Sequence, residues 1–245
     1  MGSAKNHLVV MPDYVHIDQL IRNMSTSCYG CAGQRCMASS AIVAVGDDVY
    51  DEVCRRFVAA SKEVLVADPL DPQVAEEAMV MGPVISGKAK NFILEMIQAG
   101  IDEGATLALD GRDLTVSGCE NGYFLGPTVF TNVKPGMKIH QTEIFGPVVI
   151  ILKADSLDEA IRIINEHEYG NGASIYTQNG YYARRFKLET GVGMIGINVG
   201  IPAPVAQLPF GGMKASLIAD TKAQGKAVIN FFTDLKVISE RYWPE

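Results

Sequence analysis

Apolar runs and amphipathic segments alternate along most of the chain. Apolar, β-branched runs typical of buried strands lie at residues 8–11, 41–45, 106–109, 123–130, 148–152, 172–176 and 194–199. Apolar positions at helical spacing lie at residues 18–24, 49–66, 86–104, 156–164 and 181–189. Strands that alternate with helices predict an α/β fold in which a parallel sheet is covered by helices.

Residues with good capping chemistry begin the predicted helices. Ser86 precedes one helix and Ser156 another, and Glu159 completes a capping box with Ser156. Asp47 and Asp48 follow Gly46 at the end of an apolar run, which favours a helix start there. These signals fix where three helices are expected to begin.

The C-terminal segment has a different pattern. Residues 229–239 contain many apolar residues and predict one long strand with no obvious partner within the chain. A terminal strand of this kind often adds to another sheet, in the same chain or in a neighbouring subunit. We therefore divide the chain into a catalytic domain at 1–225 and a C-terminal oligomerisation strand at 226–245.

Composition and charge restrict the classes of function. The chain has 245 residues, of which 48% are hydrophobic, and a net charge of −7. Such an acidic chain without a basic run argues against nucleic acid or an anionic membrane as partner. No apolar stretch approaches the roughly 20 residues of a membrane span, and the first residues lack a signal-peptide core. We expect a cytoplasmic protein.

Five cysteines at irregular spacing do not predict a disulfide framework. Cys36 is the leading candidate nucleophile, because Gly33 lets another group approach closely and Arg35 places a positive charge beside the thiol. Its backbone amide could help to hold an oxyanion. A packed, unreactive thiol is the alternative interpretation.

Cys28 and Cys31 form a C-x-x-C pair. Such a pair serves zinc or redox chemistry in some proteins, but zinc needs two further ligands at suitable spacing. The sequence offers no second pair, and we predict no metal site. Packed thiols on a helix are the favoured interpretation.

A second cluster of candidate residues lies directly before the run at residue 148. Glu143 and Phe145 stand in a five-residue segment that ends in Gly146-Pro147. This placement puts a carboxylate and an aromatic ring at the end of a strand, where ligands are often held. A surface acid and a core phenylalanine are the alternative.

Six segments in order resemble the motifs of the aldehyde dehydrogenase superfamily and cover almost the whole chain. They are GQRC at 33–36, GPVI at 82–85, GYFLGPTV at 122–129, EIFGPV at 143–148, YGNGASIYT at 169–177 and PFGGMK at 209–214. Further segments are similar to the methylmalonate-semialdehyde dehydrogenase subfamily. They are AKNH at 4–7, VMPD at 10–13, RCMA at 35–38, ENG at 120–122, NG at 171–172 and the tail at 232–236.

The resemblance implies a reaction. Members of the subfamily oxidise malonate or methylmalonate semialdehyde with NAD and pass the acyl group to coenzyme A, with loss of carbon dioxide. Cys36 would attack the aldehyde, and the thioester formed on it would be transferred to coenzyme A. Glu143 would bind the nicotinamide-side ribose, and Phe145 would pack near the nicotinamide.

The resemblance also implies the surroundings of the substrate. Gly33 and the Cys36 amide would shape the oxyanion side. Arg35 and Asn198 would contact the substrate, a small-molecule aldehyde. Lys5 matches a motif lysine, to which we assign no role.

The family is about twice as long as this sequence, and its N-terminal half carries most of the dinucleotide-binding domain. No Gly-rich phosphate-binding turn is found near the beginning of the chain. We therefore expect the isolated chain to be inactive or weakly active. We also expect it to form a homo-oligomer or to be complemented by an N-terminal half.

Two other classes of function stay open at this point. A cysteine-dependent acyl transferase or esterase would use Cys36 without NAD. A non-catalytic assembly module would use residues 229–239 to pair with another subunit, and replacing Cys36 would then change nothing.

Overall fold

Nineteen short elements follow one another in the computed structural model, which describes residues 2–74, 79–218 and 220–244. The strands are β1 His7–Val10, β2 Ala41–Val45, β3 Leu65–Val66, β4 Val80–Met81, β5 Thr106–Leu109, β6 Thr128–Thr131, β7 Val148–Ala154, β8 Tyr169–Gly170, β9 Gly172–Tyr176, β10 Met194–Ile197 and β11 Met213–Lys214. The α-helices are α1 Ile17–Tyr29, α2 Asp47–Lys62, α3 Gly87–Asp102, α4 Lys138–Gln141, α5 Leu157–Glu166, α6 Gly180–Glu189 and α7 Gly225–Phe232. A 3₁₀ turn, Gly30–Gly33, follows α1.

A seven-stranded sheet in the order β10-β9-β1-β2-β7-β6-β5 forms the centre of the fold. All neighbouring strands run parallel except β5, which is antiparallel to β6. In the register, Val9 of β1 lies between Val43 of β2 and Ile175 of β9. The predicted α/β fold with a mostly parallel sheet is confirmed.

The central strands are buried along their whole length. Every residue of β1, β2 and β9 is buried, since helices cover both faces of a parallel sheet. Val53 and Phe57 bury one face of α2, and Phe57 stacks on Tyr29 of α1 with ring centroids 5.7 Å apart. This packing explains why the strands are continuous apolar runs rather than alternating ones.

The predicted capping residues begin their helices. The Ser86 hydroxyl accepts a hydrogen bond from the Ala89 amide at 3.2 Å at the start of α3, and Ser156 accepts one from the Glu159 amide at 3.2 Å at the start of α5. In the part of the chain that the structure describes, no helix is both long enough and apolar enough to cross a bilayer.

One predicted helix and one predicted strand extend beyond the limits that the structure shows. The helix predicted at 49–66 ends at Lys62, because Leu65 and Val66 pair with Val80 and Met81. The strand predicted at 123–130 begins at Thr128, where pairing with Val148 of β7 starts. In both places long-range pairing sets the limit.

The strand predicted at residues 229–239 was wrong as secondary structure. Gly225–Phe232 form helix α7, and residues 233–244 carry no regular structure. None of the α7 residues is buried. A strand needs a neighbour to bond its backbone, whereas a helix satisfies its backbone within itself. Among the described residues no sheet includes this segment, which takes the local conformation.

Candidate active site

The residues of the site converge because four parallel strands begin at the same end of the sheet. Asn6 precedes β1, Cys36 precedes β2, Phe145 precedes β7 and Asn171 precedes β9. These strands are neighbours in the order β9-β1-β2-β7. Parallel strands place all their amino ends together, so segments far apart in sequence meet in one place.

A cleft at these amino ends is lined by four of the predicted residues. Arg35, Cys36, Glu143 and Phe145 share it with Asn6 and with small residues such as Gly33 and Gly146. Cys36 is exposed and carries a free thiol. The structure therefore brings the candidate nucleophile, carboxylate and aromatic ring to one surface.

The loop before Cys36 has an unusual backbone. Cys31, Ala32 and Gly33 have φ angles of 54°, 54° and 71°, in the left-handed region. A Cβ atom at Gly33 would lie 2.2 Å from the Gly146 carbonyl oxygen, so only glycine fits between the two motifs. The close approach predicted for Gly33 is made to the segment that carries Glu143 and Phe145.

Gln34 ties the nucleophile loop to the GPVI motif at 82–85. Its side-chain oxygen accepts a hydrogen bond from the Ile85 amide at 2.8 Å. Its side-chain nitrogen donates to the Cys31 carbonyl at 3.0 Å. The amide thus joins two motifs 51 residues apart in sequence.

Two side-chain amides hold the backbone carbonyl of Cys36. The Asn6 nitrogen donates to it at 2.8 Å and the Asn171 nitrogen at 2.9 Å. Both asparagines are buried. Sequence reasoning did not select either residue for this role, because their positions lie 30 and 135 residues from Cys36 and meet it only in the sheet.

Arg35 points toward a different sulfur from the one expected. Its Nε donates to the Cys31 Sγ at 3.2 Å, and its guanidinium packs over Gly30. Arg35 is exposed and also lines the cleft. The expectation that its charge acts directly on the Cys36 thiol is thus modified, since its hydrogen bond to sulfur goes to Cys31.

Cys28 has the environment of a packed thiol. It is buried, and its Sγ donates to the Ser39 carbonyl at 2.8 Å. Burial raises the pKa of the Cys28 thiol far above its usual range, which keeps it protonated. The two cysteines of the C-x-x-C pair therefore differ, one buried and one exposed.

Glu143 lines the cleft, and the charge of the buried Lys5 acts on its carboxylate. Burial raises the pKa of Glu143, while hydrogen bonds from Ser3 and Ala4 and the charge of Lys5 oppose the shift. Burial lowers the pKa of Lys5 to about 7, and its ammonium donates to the Thr142 carbonyl at 3.0 Å. The carboxylate is thus held by the start of the chain, half-buried at the cleft wall.

Phe145 is held in a conformation that exposes its ring. Its φ angle of 57° is uncommon for a residue with a large side chain. The side chain is 44% exposed and lines the cleft. Backbone conformations of this kind occur at functional sites, where the surrounding fold maintains them.

Asn198 lies apart from the residues that line this cleft. Its side-chain nitrogen donates to the Thr177 carbonyl at 2.9 Å, and its oxygen accepts from the Thr177 amide at 2.9 Å. Its φ angle of 58° also suits asparagine. The structure thus gives Asn198 a local role at the end of β9, and its contact with substrate stays a prediction.

His7, His140 and His167 form a buried cluster near Lys5. The Tyr169 amide donates to Nδ1 of His167, so Nε2 of His167 carries the proton and donates to the His140 carbonyl, each at 3.0 Å. Gln141 donates to Nδ1 of His140, so Nε2 of His140 donates to Nε2 of His7 at 3.0 Å. Burial lowers the pKa of all three rings, that of His140 to about 3. No sequence spacing pointed to this cluster.

Comparison with known proteins places the motifs in a family context. The profile described as "Aldehyde dehydrogenase family" matches residues 2–238. Malonate-semialdehyde dehydrogenase 3 of Geobacillus kaustophilus is 43% identical over 243 residues, which are 99% of this chain and 48% of that protein. The mitochondrial acylating methylmalonate-semialdehyde dehydrogenase of Arabidopsis thaliana is 44% identical over 239 residues, 98% of this chain and 38% of that protein.

Solved structures agree with these relatives. A structure described as a methylmalonate-semialdehyde dehydrogenase from Sinorhizobium meliloti 1021, complexed with NAD, superposes with a TM-score of 0.94 at 39% identity, over 100% of this chain and 48% of that one. The Mycobacterium tuberculosis aldehyde dehydrogenase complexed with NAD⁺ gives 0.84 at 32% identity, over 95% and 45%. The chain spans about half the length of the relatives it matches.

Proposed function

Because the chain belongs to the aldehyde dehydrogenase family, we propose that Cys36 is the nucleophile of an NAD-dependent aldehyde oxidation. The substrate we propose is malonate or methylmalonate semialdehyde, and the acyl group passes to coenzyme A. One observation carries the proposal: Cys36, Glu143 and Phe145 line the same cleft, although more than a hundred residues separate the first from the other two.

The residues around Cys36 suit attack on an aldehyde. The Cys36 thiolate adds to the aldehyde carbon, and the carbonyl oxygen takes the electron pair to give a thiohemiacetal. The backbone N–H of Cys36 is the donor that we assign to that oxygen. The oxyanion of this thiohemiacetal re-forms the carbonyl as a hydride leaves the carbon, and the product is a thioester on Cys36.

Transfer to coenzyme A completes the cycle. The thiol of coenzyme A attacks the thioester carbonyl, forms the acyl-CoA and returns the Cys36 thiol. For a substrate with a carboxylate β to the carbonyl, that carboxylate leaves as carbon dioxide, its bonding electron pair passes to the carbon between the two groups, and this carbon takes up a proton. The exposed Arg35 guanidinium beside Cys36 suits a substrate of this charge.

Glu143 and Phe145 suit the nicotinamide end of NAD. A carboxylate has about four lone-pair positions, so Glu143 can accept from ribose hydroxyls beside its present bonds to Ser3 and Ala4. The half-exposed Phe145 ring offers an apolar face next to it. NAD, when bound, supplies the acceptor for the hydride.

The activity of the 245 residues on their own is expected to be low. Glu143 and Phe145 are the residues that we assign to NAD binding, and both would contact its nicotinamide end. Contacts to the pyrophosphate and adenine normally contribute much of the affinity of a dinucleotide. We therefore propose weak NAD binding, which a segment carrying the remaining length of a relative would strengthen.

We also propose that the segment after residue 224 binds another chain, in a homo-oligomer or a complemented assembly. Its large apolar side chains are exposed: Ile229, Phe231, Phe232, Leu235, Val237, Ile238, Tyr242 and Trp243. Apolar patches of this kind mark interaction surfaces.

The first experiment measures NADH formation by the purified chain with malonate or methylmalonate semialdehyde, NAD and coenzyme A. The Cys36→Ser variant is the control, and burst release of p-nitrophenolate from p-nitrophenyl acetate measures acylation of Cys36 without NAD. We expect weak NADH formation, and a burst that Cys36→Ser reduces by about a hundredfold or more.

The outcomes separate the candidate functions. Cys36-dependent ester hydrolysis that continues to multiple turnovers and ignores NAD would favour a cofactor-independent acyl transferase or esterase. A chain in which Cys36→Ser changes neither the burst nor NADH formation would be an assembly module, and the proposal would be wrong.

A further inference from the structure

The backbone carbonyl of Cys36, near the cleft, is held by two side chains. Its oxygen accepts two hydrogen bonds from side-chain amides, from Asn6 at 2.8 Å and from Asn171 at 2.9 Å. The two donors come from the amino ends of neighbouring strands, β1 and β9. Both lone pairs of the Cys36 carbonyl oxygen thus accept hydrogen bonds from side chains. Neither of these side chains is hydrogen-bonded to the Cys36 thiol.

Asn6 joins the nucleophile loop to β9. Its nitrogen also donates to the Ala38 carbonyl at 3.0 Å, and its oxygen accepts from the Gly172 amide at 2.9 Å. Both polar atoms of this buried side chain are therefore hydrogen-bonded. Its three partners are backbone groups of two different segments. Asn6 accordingly fixes the position of the loop relative to the sheet.

Asn171 has a less complete set of partners. Its nitrogen donates to the Cys36 carbonyl and to the Met37 sulfur at 3.0 Å. Its oxygen is buried and has no hydrogen-bond partner among the described residues. Rotating the amide by 180° would turn this oxygen toward the Cys36 carbonyl oxygen, which is less favourable.

An apolar side chain of similar shape would fill the space at Asn171 without burying an unpaired oxygen. Packing alone therefore gives no reason for an asparagine at this position. The one feature that uses its polarity is the nitrogen held against the Cys36 carbonyl and the adjacent sulfur.

On the basis of the proposed function, we propose that Asn6 and Asn171 are positioning residues for Cys36. With its carbonyl held from two sides, the peptide between Cys36 and Met37 cannot rotate, which fixes the direction of the Cα–Cβ bond. Attack on a carbonyl group needs the sulfur and the Cys36 N–H aligned on the same substrate at once. Alkylation at a saturated carbon needs the sulfur alone.

Two reactions at Cys36 test this difference in the full chain. The first is acylation by p-nitrophenyl acetate. The rate of the Cys36→Ser variant is subtracted, because this removes the contribution of the exposed Cys31 to the measured rate. The second is alkylation by iodoacetamide, followed at the Cys36 peptide by mass spectrometry. Asn171→Leu is the test variant, and Asn171→Ala repeats it if the leucine variant does not fold.

We expect Asn171→Leu to lower the acylation rate by about tenfold or more and to change the alkylation rate by less than about threefold. Its Tm should stay the same or rise, because the unpaired oxygen is removed. Asn165→Leu is the matched control. Asn165 also bridges backbone groups, donating to the Glu189 carbonyl at 2.8 Å and accepting from the Gly191 amide at 2.7 Å, but it lies away from the cleft.

The inference is wrong if Asn171→Leu lowers both rates by the same factor, which is the result of a structural role, or lowers neither. It is also wrong if Asn165→Leu lowers the ratio of acylation to alkylation equally. A wild-type chain without Cys36-dependent acylation would instead contradict the proposed function, and the positioning role would be lost with it.

Discussion

The central strands β1, β2 and β9 and the segment after residue 224 are both rich in apolar residues, yet they differ in burial. All residues of β1, β2 and β9 are buried between helices. In contrast, α7 buries none of its residues, and Phe232 is 75% exposed. Apolar content predicts that a segment seeks burial, but only a neighbouring surface provides it.

The same contrast appears in the backbone. Around Cys36, side-chain amides from two strands and from Gln34 hold the loop in place. In α7 the residue before the first turn, Gln224, has a φ angle of 67° and makes no side-chain cap. The first region is determined by long-range contacts and the second by local conformation.

The largest expected change in the free energy of unfolding comes from a comparison of two phenylalanines, one in the buried core and one in α7. Phe57→Ala should lower the free energy of unfolding by about 3–5 kcal/mol, because the ring is fully buried against Tyr29. Phe232→Ala should change it by less than about 0.5 kcal/mol, because the ring is mostly exposed. Urea denaturation of the two variants measures both values. Similar losses would mean that α7 packs against the sheet.

The histidine cluster gives a test of intermediate size. In the unfolded chain histidine titrates near pH 6.5, whereas burial and the neighbouring His167 and Lys5 lower the pKa of His140 to about 3. Between these values the unfolded state binds more protons than the folded state, so the free energy of unfolding falls as the pH drops below 6.5. The fall is about 1.4 kcal/mol per pH unit for one such group.

His140→Leu should therefore cost about 1–3 kcal/mol at pH 7.5, where it leaves Nε2 of His7 without its donor. At pH 5 the difference in free energy of unfolding between the variant and the wild-type chain should shrink by about 2 kcal/mol. The reason is that the variant lacks one histidine whose pKa is lowered in the folded state. Urea denaturation at both pH values measures this. His16, which is exposed, is the control, and an unchanged difference for His140→Leu would contradict the argument.

The smallest change in stability is expected from the C-terminal segment. A chain shortened after residue 232 should keep its free energy of unfolding within about 0.5 kcal/mol, because residues 233–244, the removed part that the structure describes, are exposed. Its self-association, measured by sedimentation velocity, should decrease. Unchanged association would show that residues 233–245 are not part of the proposed binding surface.

Several parts of the site could be read from the sequence. Cys36, Glu143 and Phe145 stand in local patterns marked by Gly33 and by Gly146-Pro147, and the structure places all three in one cleft. Gly33 is the clearest example, since a close approach was predicted and the Gly146 carbonyl makes it.

Other parts depend on contacts between distant segments. Asn6 and Asn171 reach Cys36 because β1 and β9 are neighbours in the sheet, which no local pattern reveals. The direction of the Arg35 side chain likewise depends on the left-handed turn that brings the Cys31 sulfur within 3.2 Å. The three buried histidines come from three separate elements.

The sequence by itself determined the alternation of strands and helices, the capped helix starts and the motif order, because these follow from local sterics, hydrogen bonding and the periodicity of apolar residues. Only the tertiary structure decided which strands are neighbours, where α2 ends and β6 begins, and that residues 225–232 form a helix. Those outcomes depend on which surface each segment meets, and a strand without a partner cannot satisfy its backbone hydrogen bonds.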